Sequence, residues 1–272
     1  MLNKLVRQVR PPKRGEDGDA DTKGYPVVDP YFWKPKVGLN FGDYLASAIV
    51  QRMLAAKELL VNEPVSRHRR LFSVGSVLHF AQTGDAIWGT GRNGKMGVDR
   101  HRFETLDIRA VRGPLTRRFL GELGHAVPDI YGDPALLIPK LFPNRFRRRS
   151  GEQAVGIVPN LHDTGLIVGD NIIDPTWRWD AVISAICACD FIVSSSLHGL
   201  VIADAFGIPC AHLRLSDTEP DFKYIDYCEG AGRSQFWSST SVAEALDRGP
   251  LPPIAHDAEA LMAAFPYDLW DA

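Results

Sequence analysis

The chain has 272 residues, with 31 Lys and Arg against 33 Asp and Glu, a formal net charge of −2, and 45% hydrophobic and 24% charged residues. That composition excludes a disordered chain, and the near-neutral balance excludes a dedicated nucleic-acid binder, which carries a basic domain. The length fits one large domain or two of about 130 residues, either of them able to bury a sizeable core.

Residues 1–24 mix Lys4, Arg7, Arg10, Lys13 and Arg14 with Glu16, Asp17, Asp19 and Asp21 around Pro11-Pro12, which reads as a flexible N-terminal arm. No apolar segment of signal-peptide type follows, and the longest apolar stretch, Ala181 to Val193, is interrupted by Asp190 and too short to span a bilayer. The four cysteines, Cys187, Cys189, Cys210 and Cys228, are too few for a disulfide scaffold and read as reduced, buried thiols, so a cytoplasmic protein is expected. The spacing of Phe41, Leu45, Ala48, Ile49 and Met53 predicts a helix over about 42–57. Leu71 to Gly75 and Ala86 to Gly89 are short apolar runs that end in glycine, as strands feeding loops do. Asp107 to Arg112 alternates as a strand, then Gly113-Pro114 opens a helix that Gly124 ends.

The arginine-rich segment Lys140 to Gly151 breaks the composition and marks a domain boundary. Its arginines read as a solvated linker or as a contact with an anionic membrane or substrate. Beyond it come a strand over Ala154–Val158, a second expected over Gly165–Ile173, a helix over Asp180–Ala188, a strand over Asp190–Ser194, a helix over His198–Phe206 and a strand over Ile208–Leu213. Strands alternating with helices mean parallel sheets. The reading is α/β, with two Rossmann-like domains facing a cleft, one over 25–145 and the other over 150–272.

In such sheets ligands bind at the carboxyl ends of the strands. Ser194-Ser195-Ser196-Leu197-His198 sits at one such strand-to-helix turn, where free N–H groups favour anions. His198 there is either a proton donor at the mouth of the cleft or a buried structural histidine behind a helix cap. Arg112, just before a helix in the first half, is either a fork for carboxylate or phosphate or a partner of a nearby carboxylate. Asn40 caps the first firm helix and Asp43 lies in its first turn, a sufficient structural role; a functional Asp43 would act on a sugar hydroxyl. Asn160 and His162 lie at another strand end, as ligand contacts or as a polar turn. Gly89-Thr90-Gly91-Arg92-Asn93-Gly94-Lys95 has nucleotide-loop glycines but no helix pattern after them, and is set aside. No GxSxG elbow and no metal-ligand spacing are present.

The segments Asn40-Phe41-Gly42-Asp43, Val74 to Leu78, Val111 to Leu115, Gly132 to Leu136, Gly156 to Asn160 and Asp190 to Pro209, in that order, resemble the polysaccharide pyruvyl transferase family, and its bacterial exopolysaccharide branch in particular. Ser196-Leu197-His198-Gly199-Leu200 followed by Ala203 to Pro209 carries the likeness furthest. The resemblance implies a GT-B-like fold, with the first domain on the acceptor side and the second on the donor side. It implies transfer of pyruvate from phosphoenolpyruvate to a sugar as a cyclic ketal, with phosphate released and no further cofactor. His198 is then the acid. Arg112, Asn160, His162, Ser195, Ser196, Leu197 and Lys223 face the donor, and Asn40, Asp43, Ser76 and His79 the acceptor, a lipid-linked oligosaccharide reached at the inner membrane face, where Arg145 to Arg149 would dock the enzyme peripherally. Many family members have Arg where this chain has Ser196; Arg112, Arg214 or Lys223 could replace that charge. The remaining readings are a GT-B glycosyltransferase using a nucleotide sugar, and a non-catalytic member that binds polysaccharide.

Overall fold

The computed structural model describes residues 25–36, 38–217 and 219–271; the expected arm, residues 1–24, lies outside them. The first half forms a four-stranded parallel sheet from β1 (Val28–Tyr31), β2 (Arg69–Phe72), β3 (Ala86–Trp88) and β4 (Asp107–Ala110), in that spatial order. β1 pairs with β2 from Val28 opposite Arg69 to Tyr31 opposite Phe72, and the β3–β4 register shifts between Ile87 and Trp88. Helix α1 (Phe41–Ala55) connects β1 to β2, α2 (Pro114–Glu122) follows β4, and α3 (Ile138–Leu141) continues a 3-10 turn over Pro134–Leu137. The second half forms another four-stranded parallel sheet, again in chain order, from β5 (Gln153–Val158), β6 (Cys189–Ser194), β7 (Cys210–Leu213) and β8 (Ser238–Ser239). Its crossovers are α4 (Trp179–Cys187), α5 (Leu197–Ala205) and α6 (Phe222–Gly230), and α7 (Val242–Arg248) and α8 (Ala258–Ala263) follow β8.

The strands are buried on both faces, as parallel sheets are. Leu71, Ala86, Trp88 and Ala110 join one apolar cluster, while Phe72, Ile87 and Val111 join another. In the second sheet Ile192 and Cys210 face one way and Val193, Ala211 and Leu213 the other. This is the period-two alternation of a strand. The largest cluster is common to both halves: Leu45, Ile49 and Met53 of α1 lie in it with Val182, Ile183 and Ile186 of α4 and Leu200 and Val201 of α5. One apolar layer of helices therefore joins the two sheets. All four cysteines are free and buried.

Three elements depart from the expectations. Gly165–Ile173 is no strand; its glycines and Asp170 break the run, and only Ile172 bridges to Ile157. β1, with Pro30 inside it, was not anticipated. Proline lacks a ladder donor, and the structure puts β1 at the sheet edge, where that loss is tolerated. The arginines of the segment 140–151 lie exposed, as a solvated segment's do, but the segment is tethered and not free. Arg145 stacks its guanidinium 4.6 Å from the Trp179 ring and pairs with Asp180 at 2.7 Å, Arg148 donates to the Gly207 carbonyl, and Arg149 donates to the Ser184 carbonyl.

The chain's last segment returns to the first sheet. Trp88 Nε1 donates to the Leu261 carbonyl at 2.8 Å, Tyr267 Oη donates to the Met53 carbonyl, and Arg109 forks onto Asp268 at 2.9 and 2.7 Å. Among the described residues, no helix is long and apolar enough to cross a membrane.

Candidate active site

The carboxyl ends of both sheets converge on one cavity of about 290 Å³, near the lower end of small-molecule sites. Ser76 and His79 reach it from beyond β2, Asn93 and Lys95 from beyond β3, Asn160 and His162 from beyond β5, and Ser196, Leu197 and His198 from the turn between β6 and α5. Asn40 and Asp43 enter from the start of α1, and Lys223 from α6. Ten of the expected site residues therefore meet at one place.

The N-terminus of α5 is bare by design of its sequence. Ser194 Oγ donates to the Val158 carbonyl and accepts from Ser196 N–H, which tightens the turn. A side chain at Gly199 would collide with Ser194 Oγ, so only glycine lets the helix start this close to β5. His198 is nearly buried; its Nε2 lies 3.7 Å from Asp133 Oδ2, and its ring meets Phe41 edge-on. Asp43 receives a 2.7 Å hydrogen bond from Asn40 Nδ2. Burial pushes the Asp43 carboxyl above the usual carboxylate range, against the pull of His198 and the Asn40 bond. Burial, reinforced by His101 and Arg100, holds His79 down at about 4, so its ring is neutral at physiological pH.

Two expected donor contacts are not in the cavity wall. Ser195 is buried as a latch: its Oγ accepts from Asn160 N–H at 2.8 Å and its carbonyl from Tyr224 Oη at 2.7 Å. Arg112 has no exposed surface. Its Nε and Nη2 hold Asp226 Oδ2 at 3.0 and 2.9 Å, Nη2 also donates to the Arg92 carbonyl, and Nη1 donates to Ser76 Oγ at 2.5 Å. Asp226 further accepts from Thr116 N–H and Oγ1, at the start of α2. The expected anion fork is thus spent on a buried ion pair that ties α6 to the first sheet, and it touches the cavity only through Ser76.

Of the three cations expected to replace the missing arginine, Arg214 is paired with Asp221 and Arg112 with Asp226, while Lys223 lines the cavity. Lys223 sits 2.5 Å from Glu219 Oε2, and Lys95 from the first half pairs with the same carboxylate. Burial raises the Glu219 carboxyl, but the two ammonium groups outweigh it and hold it below its ordinary value. Burial lowers Lys223, partly offset by Glu219.

Lys95, Asn93 and Trp33 were missed as site residues, and Glu219 lines the cavity with them. The signal for two of them was the glycine-rich stretch 89–95, set aside as a nucleotide loop. Its glycines serve close approach instead: a Cβ on Gly91 would lie 2.4 Å from the Arg112 guanidinium carbon, and one on Gly94 2.6 Å from Phe222 Cβ.

A sequence model of the family described as polysaccharide pyruvyl transferase matches residues 40–217. The succinoglycan biosynthesis protein ExoV of Rhizobium meliloti (strain 1021) is 30% identical over 241 residues, covering 82% of this chain and 72% of that protein. The uncharacterized protein L143 of Acanthamoeba polyphaga mimivirus is 26% identical over 215 residues, covering 73% of this chain and 74% of that one. Among solved structures, a functionally uncharacterised protein from Klebsiella pneumoniae subsp. pneumoniae NTUH-K2044 shares the fold with a TM-score of 0.50 at 14% identity, over 80% of this chain and 93% of that one.

Proposed function

The chain belongs to the polysaccharide pyruvyl transferase family and is a polysaccharide pyruvyltransferase, and from that premise we propose that it transfers pyruvate from phosphoenolpyruvate to a sugar of an exopolysaccharide repeat unit as a cyclic ketal, releasing phosphate. The observation that carries this reading is the meeting of His198, two lysines and the N-terminus of α5 in one cavity.

Phosphoenolpyruvate bears a carboxylate and a phosphate and needs two anion sites. Lys95 and Lys223 supply one and the free N–H groups of α5 the other. His198 delivers a proton to the methylene carbon, which becomes the methyl group, and cationic character develops at the adjacent carbon. A sugar hydroxyl adds there, the carbon–oxygen bond to phosphate breaks, and a second hydroxyl of the same sugar closes the ring. Of the two hydroxyl protons released, one replaces that given by His198 and the other leaves with phosphate. Asn40, Asp43, Ser76 and His79 hold the acceptor hydroxyls; the neutral His79 offers one ring nitrogen as an acceptor.

The division into an acceptor lobe over 25–145 and a donor lobe over 150–272, arranged in the GT-B manner, belongs to the same proposal and is supported by two parallel sheets that end on one cavity. So does a lipid-linked acceptor reached by docking Arg145 to Arg149 on an anionic membrane; salt-reversible binding to anionic vesicles tests that contact, and binding that is absent or insensitive to salt refutes it.

The test is phosphate release from phosphoenolpyruvate with and without a lipid-linked oligosaccharide extract, followed by mass analysis of the glycan. Acceptor-dependent release with a gain equal to pyruvate less water supports the reading. His198→Ala should then lose roughly 10²–10⁴-fold in turnover, the contribution of a general acid; near-wild-type turnover refutes its role. If phosphoenolpyruvate does not even raise the melting temperature, the donor assignment is wrong.

A further inference from the structure

We propose that Asp133 is a positioning residue of this site, its Oδ2 accepting the Nε2–H of His198 so that the imidazole turns Nδ1 toward the reacting atoms. The proposal rests on His198 as the proton donor. Asp133 has no exposed surface. Its Oδ1 is committed: it accepts from Ala135 N–H at 3.0 Å and so caps the 3-10 turn that Pro134 begins. Its Oδ2 has no hydrogen-bond partner, and neither has the facing His198 Nε2, 3.7 Å away. An acceptor and a possible donor, both buried and both unpaired, stand within half an ångström of a hydrogen bond.

Native proteins pair nearly all buried polar atoms, and an ionised carboxylate left alone in the interior is costly. Catalytic hydrogen bonds in unliganded enzymes are often long and tighten when substrate binds. The Oδ1 cap holds Asp133 in the Gly132-Asp133-Pro134 turn, so we assign the closing movement to the ring of His198. Phe41 meets that ring edge-on, and the bare Cα of Gly42 lies on its Nδ1 side. With Nε2–H on Asp133, the neutral ring bears its lone pair on Nδ1, and the protonated ring donates from Nδ1. A carboxylate so placed orients the ring and stabilises the imidazolium, as in triads of the Ser-His-Asp type.

The other charged groups that face this pair are Asp43 from α1, which attracts a protonated His198, and Lys223 from α6, which acts on Asp43. His256, after α7, lies against Gly132 with both ring nitrogens buried and unpartnered, and it feels the charge of Asp133.

Nitrogen-15 NMR of the full chain labelled at histidine reads the tautomer directly. The neutral His198 ring is expected to carry its proton on Nε2; a proton on Nδ1 overturns the proposal without any variant. Asp133→Asn keeps the Oδ1 cap and removes the charge. Turnover should fall roughly 10²-fold or more, the KM for phosphoenolpyruvate should stay, and the falling alkaline limb of the pH–rate profile should move to lower pH. A loss of turnover with that limb unmoved assigns Asp133 a merely structural role. Should the wild-type enzyme release no phosphate from phosphoenolpyruvate, the donor assignment fails, while the tautomer still decides the place of Asp133.

Discussion

A methyl group on Gly42 would lie 2.2 Å from His198 Nδ1 and 2.6 Å from its Cγ. The first turn of α1 is bare where the imidazole of the second half comes against it. Gly42→Ala therefore sets two effects against each other. Alanine favours the helix by up to about 1 kcal/mol, yet the ring must shift to admit it. We expect the fold to persist with a melting temperature close to wild type, while turnover falls at least tenfold, since a displacement of about 1 Å at a reacting group can cost roughly 10²-fold. Unchanged turnover in Gly42→Ala would show that the ring position does not matter to the reaction.

Arg112 and Asp226 form an ion pair with no exposed surface on either side chain. Removing one partner leaves the other charged and buried, which costs about 3–5 kcal/mol. Arg112→Ala and Asp226→Ala should each lower the urea midpoint by a comparable amount. A donor-anchoring arginine would behave differently, with stability kept and the KM for phosphoenolpyruvate raised, and that pattern would return Arg112 to the donor site.

Lys95 is one third exposed and reaches Glu219 across the cavity, so the fold has little to lose with it. Lys95→Ala should raise the KM for phosphoenolpyruvate roughly 10- to 100-fold, the 1.5–3 kcal/mol of a hydrogen bond to a charged group. Turnover and melting temperature should change little. An unaltered KM would remove Lys95 from the donor site.

His212, under Tyr224 and Phe236, is held down at about 3 by burial, aided by Lys223 and Arg214, against 6.5 for a free histidine. Between those values the unfolded chain binds the proton and the folded one does not. Its contribution to stability is therefore intact above pH 6.5 and lost as pH falls toward 3. His79 acts in the same direction down to about 4. In urea titrations from pH 7 to pH 4, His212→Gln should show a shallower loss of stability than wild type; equal slopes would mean that His212 is protonated in the folded chain.

What depends on neighbours along the chain is legible in the order of residues. Runs such as Ile192-Val193 and Cys210 to Leu213, bounded by glycine, proline and helix-forming segments, fixed the alternation of strand and helix and thus the parallel sheets. The loop ends of those strands located Asn160, Ser196 and His198, and the family likeness of Ser196 to Pro209 pointed to the chemistry. Which charges reach the cavity is settled by contacts between residues distant in the chain. Arg112 and Lys223 look equally eligible in sequence, but Asp226 arrives from 114 residues away to bury the first, while Lys223 stays in the cavity wall beside Lys95 and Glu219. Asp133 lies in a segment that carries only family likeness, and Lys95 in a loop that reads as a failed nucleotide motif. Both join the site only because two sheets close on one core and bring groups far apart in the chain within reach. Pairing at a few ångströms, which sets burial, charge and the course of a proton, has no signature in residue spacing.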